Sequence, residues 1–444
     1  MCNRLKLDFH THFTLLYRLW MMVASVVVIL VIPYCFTQIE QGYYYTFSSF
    51  LAGQVLFELG TTFVITQITA HEIGQSNSSG ELASILTSPS LIDRLAQLLI
   101  FSNQWLYFAA MLFIFIVGIL GGYFFWVTGD LNPQQWLTPW ILLVFANAGN
   151  MKLMANLSLL EGTGQMGEVA KLRLMQSMLG NIVMWSLLFC GAKLWALPSL
   201  PIITAMITII WLKKHPLIQS LYTQRLRGIS KSMQWKQDIF PMQWRIALSW
   251  ASGYLVFQAI IPIVFAKLGS TAAGQLGLGL AVFNGVQSLG MSWMYVKIPR
   301  YAELIARGDR NTLNEMFSQA LKQSISLISL GIGLVLAGLT GLTVFNWNIV
   351  HRFPPINAMI CLGLITIANS LIFSVALYMR SHKEEPMLIS SVVCGLLTLG
   401  GVYLGASYNQ FTVTFVYMMI TISIGVPWAF VLFKSYFYGQ EQHA

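Results

Sequence analysis

The stretches Tyr43–Ala70, YYYTFSSFLAGQVLFELGTTFVITQITA, and Pro139–Leu160, PWILLVFANAGNMKLMANLSLL, decide how this chain is read. Each is long and apolar enough to cross a bilayer as a helix, which takes about 20 residues. Each also carries a single charge, Glu58 near the middle of the first and Lys152 deep inside the second. A charge at bilayer depth costs about 2.5 to 3.5 kcal/mol on insertion scales, so both residues require a partner, water or a substrate.

The rest of the chain has the same character. Of 444 residues 56% are hydrophobic and 9% charged, whereas a soluble domain has about a quarter of its residues charged. The reading is an all-α polytopic membrane protein of about twelve transmembrane helices. The first six spans are expected at Phe13–Phe36, Tyr43–Ala70, Asn103–Val127, Pro139–Leu160, Leu172–Gly191 and Leu194–Leu212. The second six fall at Ile246–Ala266, Gly274–Val296, Ala320–Thr340, Pro355–Tyr378, Met387–Gly405 and Phe411–Phe433. No small-residue cleavage site follows the first apolar run, which is therefore read as a retained span. The five scattered cysteines have no CxxC or metal spacing and read as apolar filler.

Basic residues orient the spans, since short Lys- and Arg-rich loops stay in the cytoplasm. With the N-terminus inside, 20 of the 25 basic residues fall on the cytoplasmic side, and only Lys193, Lys267 and Arg352 on the other. Both termini are expected in the cytoplasm. The net charge of +9 reads as attraction to anionic lipid headgroups rather than to nucleic acid.

The two sets of six spans read as related halves: an N-terminal lobe 1–212, a basic cytoplasmic linker 213–245 and a C-terminal lobe 246–444. Gly42 and Gly53 recur as Gly274 and Gly285 at one constant offset. After the second span of each half comes a capping-box pattern, Ser90 with Asp93 and Thr312 with Glu315, predicting a short amphipathic surface helix in each place.

The stretches GYYYTF (Gly42–Phe47), FELG (Phe57–Gly60), AHE (Ala70–Glu72), EGTGQ (Glu161–Gln165), VAKLRLMQ (Val169–Gln176) and QWRIALSWASGY (Gln243–Tyr254) resemble the Wzx-type flippases of O-antigen and other polysaccharides. That family belongs to a superfamily that also holds multidrug and toxic compound exporters and the lipid II flippase. The resemblance covers essentially the whole chain. It implies two six-helix lobes forming a V around a central cationic cavity. It further implies transport of undecaprenyl-pyrophosphate-linked oligosaccharide from the cytoplasmic to the periplasmic leaflet, with polysaccharide polymerase and chain-length machinery as partners.

Read from the residues alone, Glu58 is too deep for its side chain to reach an interface. Gln54, Glu58 and Thr61 would share one face of a continuous helix and turn it toward protein or water. Glu58 is thus a candidate ion-coupling residue or a buried structural carboxyl. Lys152 lies about 13 Å by helical rise from the cytoplasmic end of its span at Glu161. It is a candidate ligand for the pyrophosphate or, alternatively, a structural ion-pair partner of Glu58. Asn156 shares its face, whereas Asn147 and Asn150 lie on the opposite one. Arg18 is a weaker candidate, within reach of the cytoplasmic headgroups. Arg245, Lys297 and Arg300 mark the cytoplasmic mouth, where positive-inside topology alone also places basic residues. Tyr254 with Gln258, and Asn284 with Gln287, are sugar or gating candidates that could equally be helix glue. Trp140, Trp195 and Tyr378 read as interface anchors.

Three function classes compete. A flippase suits the intramembrane basic residues. A cation-coupled multidrug exporter of the same fold would need acids in its lobes, and Glu58 is the only intramembrane one. A membrane enzyme would need positioned acids, bases or metal ligands in a sizeable outer loop, yet the short outer loops offer only Glu40, Asp130 and His351. Enzymatic function, metal and cofactor are accordingly not expected. No GxxxxGK[ST] loop occurs, so the energy source is an ion gradient, the membrane potential or consumption of the product.

The topology makes a direct prediction. Single cysteines replacing Ser232 and Asn311 in a cysteine-free background resist impermeant thiol reagents added to intact cells; ready labelling of either one overturns the twelve-span, both-ends-inside arrangement.

Overall fold

The computed structural model describes residues 9–75, 85–227, 240–382 and 386–438. Every regular element among them is a helix. Nine described helices are long and apolar enough to cross a membrane, and ten if the bent pair Gln38–Glu58 and Thr61–Gln75 counts as one span. The helices Pro133–Gly162 and Ser270–Arg307 occupy two further expected spans and are long enough at 30 and 38 residues, but fall short in apolarity. Two compact units divide the chain: Met1–Val31 with Phe50–Val127 and Leu131–Ala251, and Ile32–Ser49 with Thr128–Asp130 and Ser252–Ala444.

In the first unit Pro133–Gly162 is the central helix. Pro133 pre-sets the first turn, and the Asn132 side chain accepts from the Gln134 N–H at 3.2 Å. The helix packs on Thr61–Gln75, Pro89–Phe113 and Ser199–Lys214. Its contact with Thr61–Gln75 depends on Gly162, where a side-chain carbon would fall 2.6 Å from Thr69 Cβ and 2.7 Å from the Thr66 carbonyl oxygen. Thr66 Oγ1 donates to the Ser158 carbonyl at 3.1 Å across the same contact. Lipid removes the hydrophobic drive for helices to associate, so small residues and interhelical hydrogen bonds take over. From the segment expected as a linker, Pro216–Arg227 forms a helix that buries Leu217, Ile218 and Leu221 in one cluster with Leu95, Leu98 and Leu160. Residues 228–239 of that segment lie outside the described residues.

In the second unit Ser270–Arg307, Arg310–Val344 and Ile356–Ser381 pack on one another. Gly308 closes the first of these with φ +72°, and Asp309 caps the next, its carboxylate accepting from the Thr312 N–H at 3.2 Å. The expected separate surface helix at Thr312–Glu315 is therefore not formed; those residues are the first turns of a 35-residue helix. In the first half, too, the cap differs from expectation: Ser88 precedes Pro89, and Ser90 is already inside the helix. Helices Gln38–Ala52 and Ser270–Arg307 meet at their related glycines. A side-chain carbon on Gly42 would fall 2.0 Å from the Ser270 carbonyl oxygen, and one on Gly274 would fall 2.7 Å from Gly42 N.

Two expected spans break into separate helices. The second breaks into Gln38–Ala52, Gln54–Glu58 and Thr61–Gln75 with a 44° bend. The seventh breaks between Phe257 and Ile260, two residues before Pro262, which has no N–H to continue the ladder. A π-helical turn at Ile114–Leu120 interrupts the third, and there the Trp140 indole N–H donates to the Gly118 carbonyl at 3.1 Å. Trp140 is fully buried, as is Tyr378, whose hydroxyl donates to Asn314 Oδ1 at 2.7 Å. Both were expected as interface anchors and instead satisfy polar groups inside helix contacts. Trp195, the third of that set, is exposed.

The glycine contacts predict a contrast. Gly162→Val lowers stability by about 1–3 kcal/mol through overpacking against Thr66 and Thr69, whereas Gly149→Val on the same helix, with no neighbour within 4 Å, does not. Thermal unfolding in detergent, followed by tryptophan fluorescence, compares the two; equal midpoints would remove the close contact from the account.

Candidate functional site

Glu58 is buried at the end of the helix Gln54–Glu58. The chain then turns through the left-handed region at Leu59 (φ 51°) and Gly60 (φ 68°) before Thr61–Gln75 begins. At Gly60 a side-chain carbon would fall 2.3 Å from Ile246 Cγ2. Leu59 pays about 1–2 kcal/mol for its conformation. The first N–H groups of a helix have no partner within it. Here the Glu58 carboxylate supplies one, accepting from the Thr62 hydroxyl and backbone N–H. A carboxylate at a helix N-terminus also meets the positive end of the macrodipole, for about 0.3–1 kcal/mol or more when shielded. Thr61 Oγ1 donates to the Glu58 carbonyl at 2.5 Å and accepts from Gln243 Nε2 at 2.9 Å. The expectation of one continuous face through Gln54, Glu58 and Thr61 is thus replaced by a helix joint built around the carboxylate.

Lys152 is exposed, and its Nζ lies 5.6 Å from the centroid of the Tyr107 ring. Such a contact contributes about 0.5–1 kcal/mol when exposed and about 2 when desolvated. Glu58 bonds Thr62 and Lys152 meets Tyr107; neither is the other's ion-pair partner. Lys152 ends an exposed stripe through Ile141, Phe145 and Gly149. The helix packs instead through Asn150, whose Nδ2 donates to the Pro201 carbonyl at 2.8 Å, while Asn147 bonds the Leu143 carbonyl of its own helix. Asn156, one turn beyond Lys152, is buried beneath Tyr222.

The remaining candidates fall into place by unit. Arg18 is exposed on Phe9–Cys35. The side chain of Arg245 lies outside what the structure describes. Lys297 is half-buried, and Arg300 is exposed and bound to Glu303 at 2.5 Å, which also binds Arg307. Arg300 thus belongs to a surface ion-pair network. Tyr254 is half-buried just before the break in the seventh span, where its carbonyl accepts from Gln258 N at 2.9 Å. Gln287 donates to Ser370 Oγ at 3.1 Å and ties two helices together, whereas Asn284 is exposed.

Two partners were missed from the sequence. Thr62 stands four residues after Glu58 but across the Leu59–Gly60 turn, so their contact belongs to the joint and not to helical spacing. Tyr107 carries no sequence signal, because its meeting with Lys152 depends on how two distant helices pack.

Several of the motif residues prove to be joints. Glu72 pairs with Arg94 at 2.7 Å, and Glu161 pairs with Arg173 at 2.7 Å. Gln165 Oε1 meets His215 Nε2 at 2.8 Å, and Gln176 donates to Thr208 Oγ1 at 2.6 Å. Gly164 turns the chain with φ +84°.

No protein-family model matches the sequence, and no curated protein matches it. Solved structures do match. An inward-facing multidrug resistance MATE family transporter of the MOP superfamily aligns over 93% of this chain and 95% of its own, with a TM-score of 0.69 at 13% identity. The chain has the fold of the MOP-superfamily transporters. The eukaryotic MATE transporter AtDTX14 aligns over 96% of this chain and 94% of its own, with a TM-score of 0.62 at 11% identity. The lipid II flippase MurJ in an inward closed conformation aligns over 93% and 87%, with a TM-score of 0.56 at 12% identity. Identities this low carry the fold and leave the substrate to the residues of this chain.

The joint at Glu58 predicts that Thr62→Val destabilises the protein by about 1–3 kcal/mol, since a buried acceptor loses its donor. Thr62→Ser keeps the hydroxyl and remains near the parent value. Detergent-solubilised unfolding midpoints check this, and a silent Thr62→Val would show that the carboxylate does not need that bond.

Proposed function

We propose that this chain is a flippase that moves an undecaprenyl-pyrophosphate-linked oligosaccharide, an O-antigen or related surface polysaccharide unit, across the bacterial inner membrane by alternating access. The observation that carries the reading is Lys152: a cation expected at bilayer depth, exposed and, among the described residues, held over the face of Tyr107 with no carboxylate beside it. Such a cation suits an anionic diphosphate, whereas a cationic drug would be repelled. Resemblance of the sequence to Wzx-type flippases and the MOP-superfamily fold support the same reading.

Lys152 and Arg18 would hold the pyrophosphate within the membrane. Lys297, Arg245 and Arg300 would meet it at the cytoplasmic mouth, Arg300 by exchanging Glu303 for phosphate. Tyr254 and Asn284 would contact sugar; Gln287, already bonded to Ser370, contributes mainly to helix packing. Glu58 would couple a proton, because protonation removes the charge that starts the helix Thr61–Gln75. The polyprenyl chain would stay in lipid, since it gains nothing by entering water. The exporter alternative needs an acid that meets the cationic drug itself, and Glu58, buried and engaged with Thr62, leaves no room for a molecule larger than a proton.

Lys152→Ala is expected to abolish or strongly impair saccharide export at normal protein levels, and Lys152→Arg to retain part of it, because Arg offers a cation of different geometry. The double change Glu58→Gln with Lys152→Met inserts but stays inactive. Lipid-linked saccharide accumulated in a deletion strain carrying each variant is the measurement. Recovery of export by the double variant would show that transport needs neither charge.

A further inference from the structure

We propose that the second unit carries a saccharide-binding site at its non-cytoplasmic end, built on Tyr408 and the amides of Gln275, Asn357 and Gln410. This rests on the flippase reading for its ligand, the sugar of the transported unit on the outward side. A cavity of about 530 Å³ is lined there by Gln275, Asn357, Tyr408, Asn409, Gln410 and Phe411 among others. That volume is within the range of small-ligand sites, about 300–1,000 Å³. The distribution of basic residues puts the loops that form it on the outer side.

The polar groups form a connected set. Gln410 Nε2 donates to Gln275 Oε1 at 2.7 Å, and Gln275 Nε2 donates to the His351 carbonyl at 2.9 Å. Gln410 Oε1 is buried and takes no hydrogen bond from the protein. Asn357 Oδ1 accepts from the Ala358 N–H at 2.8 Å, and Asn409 Oδ1 accepts from the Thr412 N–H at 2.8 Å, so in both the side-chain amide N–H groups remain to donate. Tyr408 stands on the turn after Gly405, its ring held out at 77% exposure. No lining residue is charged.

Each feature matches a neutral sugar. A sugar hydroxyl both donates and accepts, which amides answer in either sense and lone cations or carboxylates do not. The C–H face of a pyranose is apolar and fits an aromatic ring whose edge carries a hydroxyl. A phosphate headgroup would instead call for Lys or Arg in the lining. The intramembrane cations and this outer pocket therefore divide the substrate: charge is handled within the membrane and sugar at the exit.

The test uses the full-length protein in lipid nanodiscs and one probe, the repeat-unit oligosaccharide released by mild acid from the surface polysaccharide of the strain that carries the gene. Titration read by saturation-transfer NMR is expected to show binding that weakens at least tenfold in Tyr408→Ala and is retained in Tyr408→Phe, which keeps the ring face. Gln275→Leu weakens it as well. Equal binding by the parent and Tyr408→Ala overturns the site, and so does a parent that binds no probe. Export is scored separately: a deletion strain with normal surface polysaccharide sinks the flippase reading, while the titration still decides the pocket.

Discussion

A backbone N–H or C=O at bilayer depth must find its partner inside the protein, since lipid supplies none. This constraint governs the interruption of the second span. Ending one helix at Glu58 and starting another at Thr61 frees several backbone groups in a segment expected deep in the membrane. The Thr61 hydroxyl answers the Glu58 carbonyl and the Glu58 carboxylate the Thr62 N–H, while the Gln243 amide and the Thr62 hydroxyl hold those two side chains in place. An acid that reads as expensive on an insertion scale is thereby cheap in place, because it substitutes for water at a helix terminus. The same logic sets the Trp140 indole against the Gly118 carbonyl at the π-helical turn of the third span.

Once polar groups are satisfied, association depends on how closely backbones approach. Gly162 against Thr66 and Thr69 in one unit, and Gly42 against Ser270 and Gly274 in the other, are contacts that no side chain could enter. They explain why the stretch GYYYTF opens on a glycine at Gly42. Gly42 and Gly274, which stand at the constant offset noted in the sequence, lie against each other where their two helices cross. At the same offset from Glu58 stands Gly290, inside the continuous helix Ser270–Arg307, with no break there.

The helical class and most span positions were legible because hydropathy reports on the solvent around a segment, which here is lipid. Hydropathy does not report on continuity. The Leu59–Gly60 turn is apolar in composition, so a window averages across it; Gly60 alone hinted at a left-handed residue. The break before Pro262 was better signalled, since proline withholds the N–H that the preceding turn needs. Trp140 and Tyr378 were misread because an aromatic residue near a span end satisfies an interface rule whether its polar tip meets headgroups or a buried carbonyl. Glu58 and Lys152 stood out as costly charges, yet their partners did not, because cost is local to a span and partnership is a property of packing between spans.

That difference bears on what each charge can do. Glu58 is bound by short hydrogen bonds from a residue four positions away, and its removal disturbs the joint before it disturbs anything else. Lys152 has no such anchorage. An aromatic face holds a cation at a fraction of the strength of a buried ion pair, which loses about 3–5 kcal/mol when one partner is removed. A cation that must take up an anionic headgroup and then release it cannot be locked to a carboxylate, because the substrate would have to displace that bond in every cycle. Tyr107 keeps Lys152 in position, and among the described residues no carboxylate pairs with it; under the proposed function, such a cation is what a diphosphate entering from the cytoplasmic leaflet would need to find.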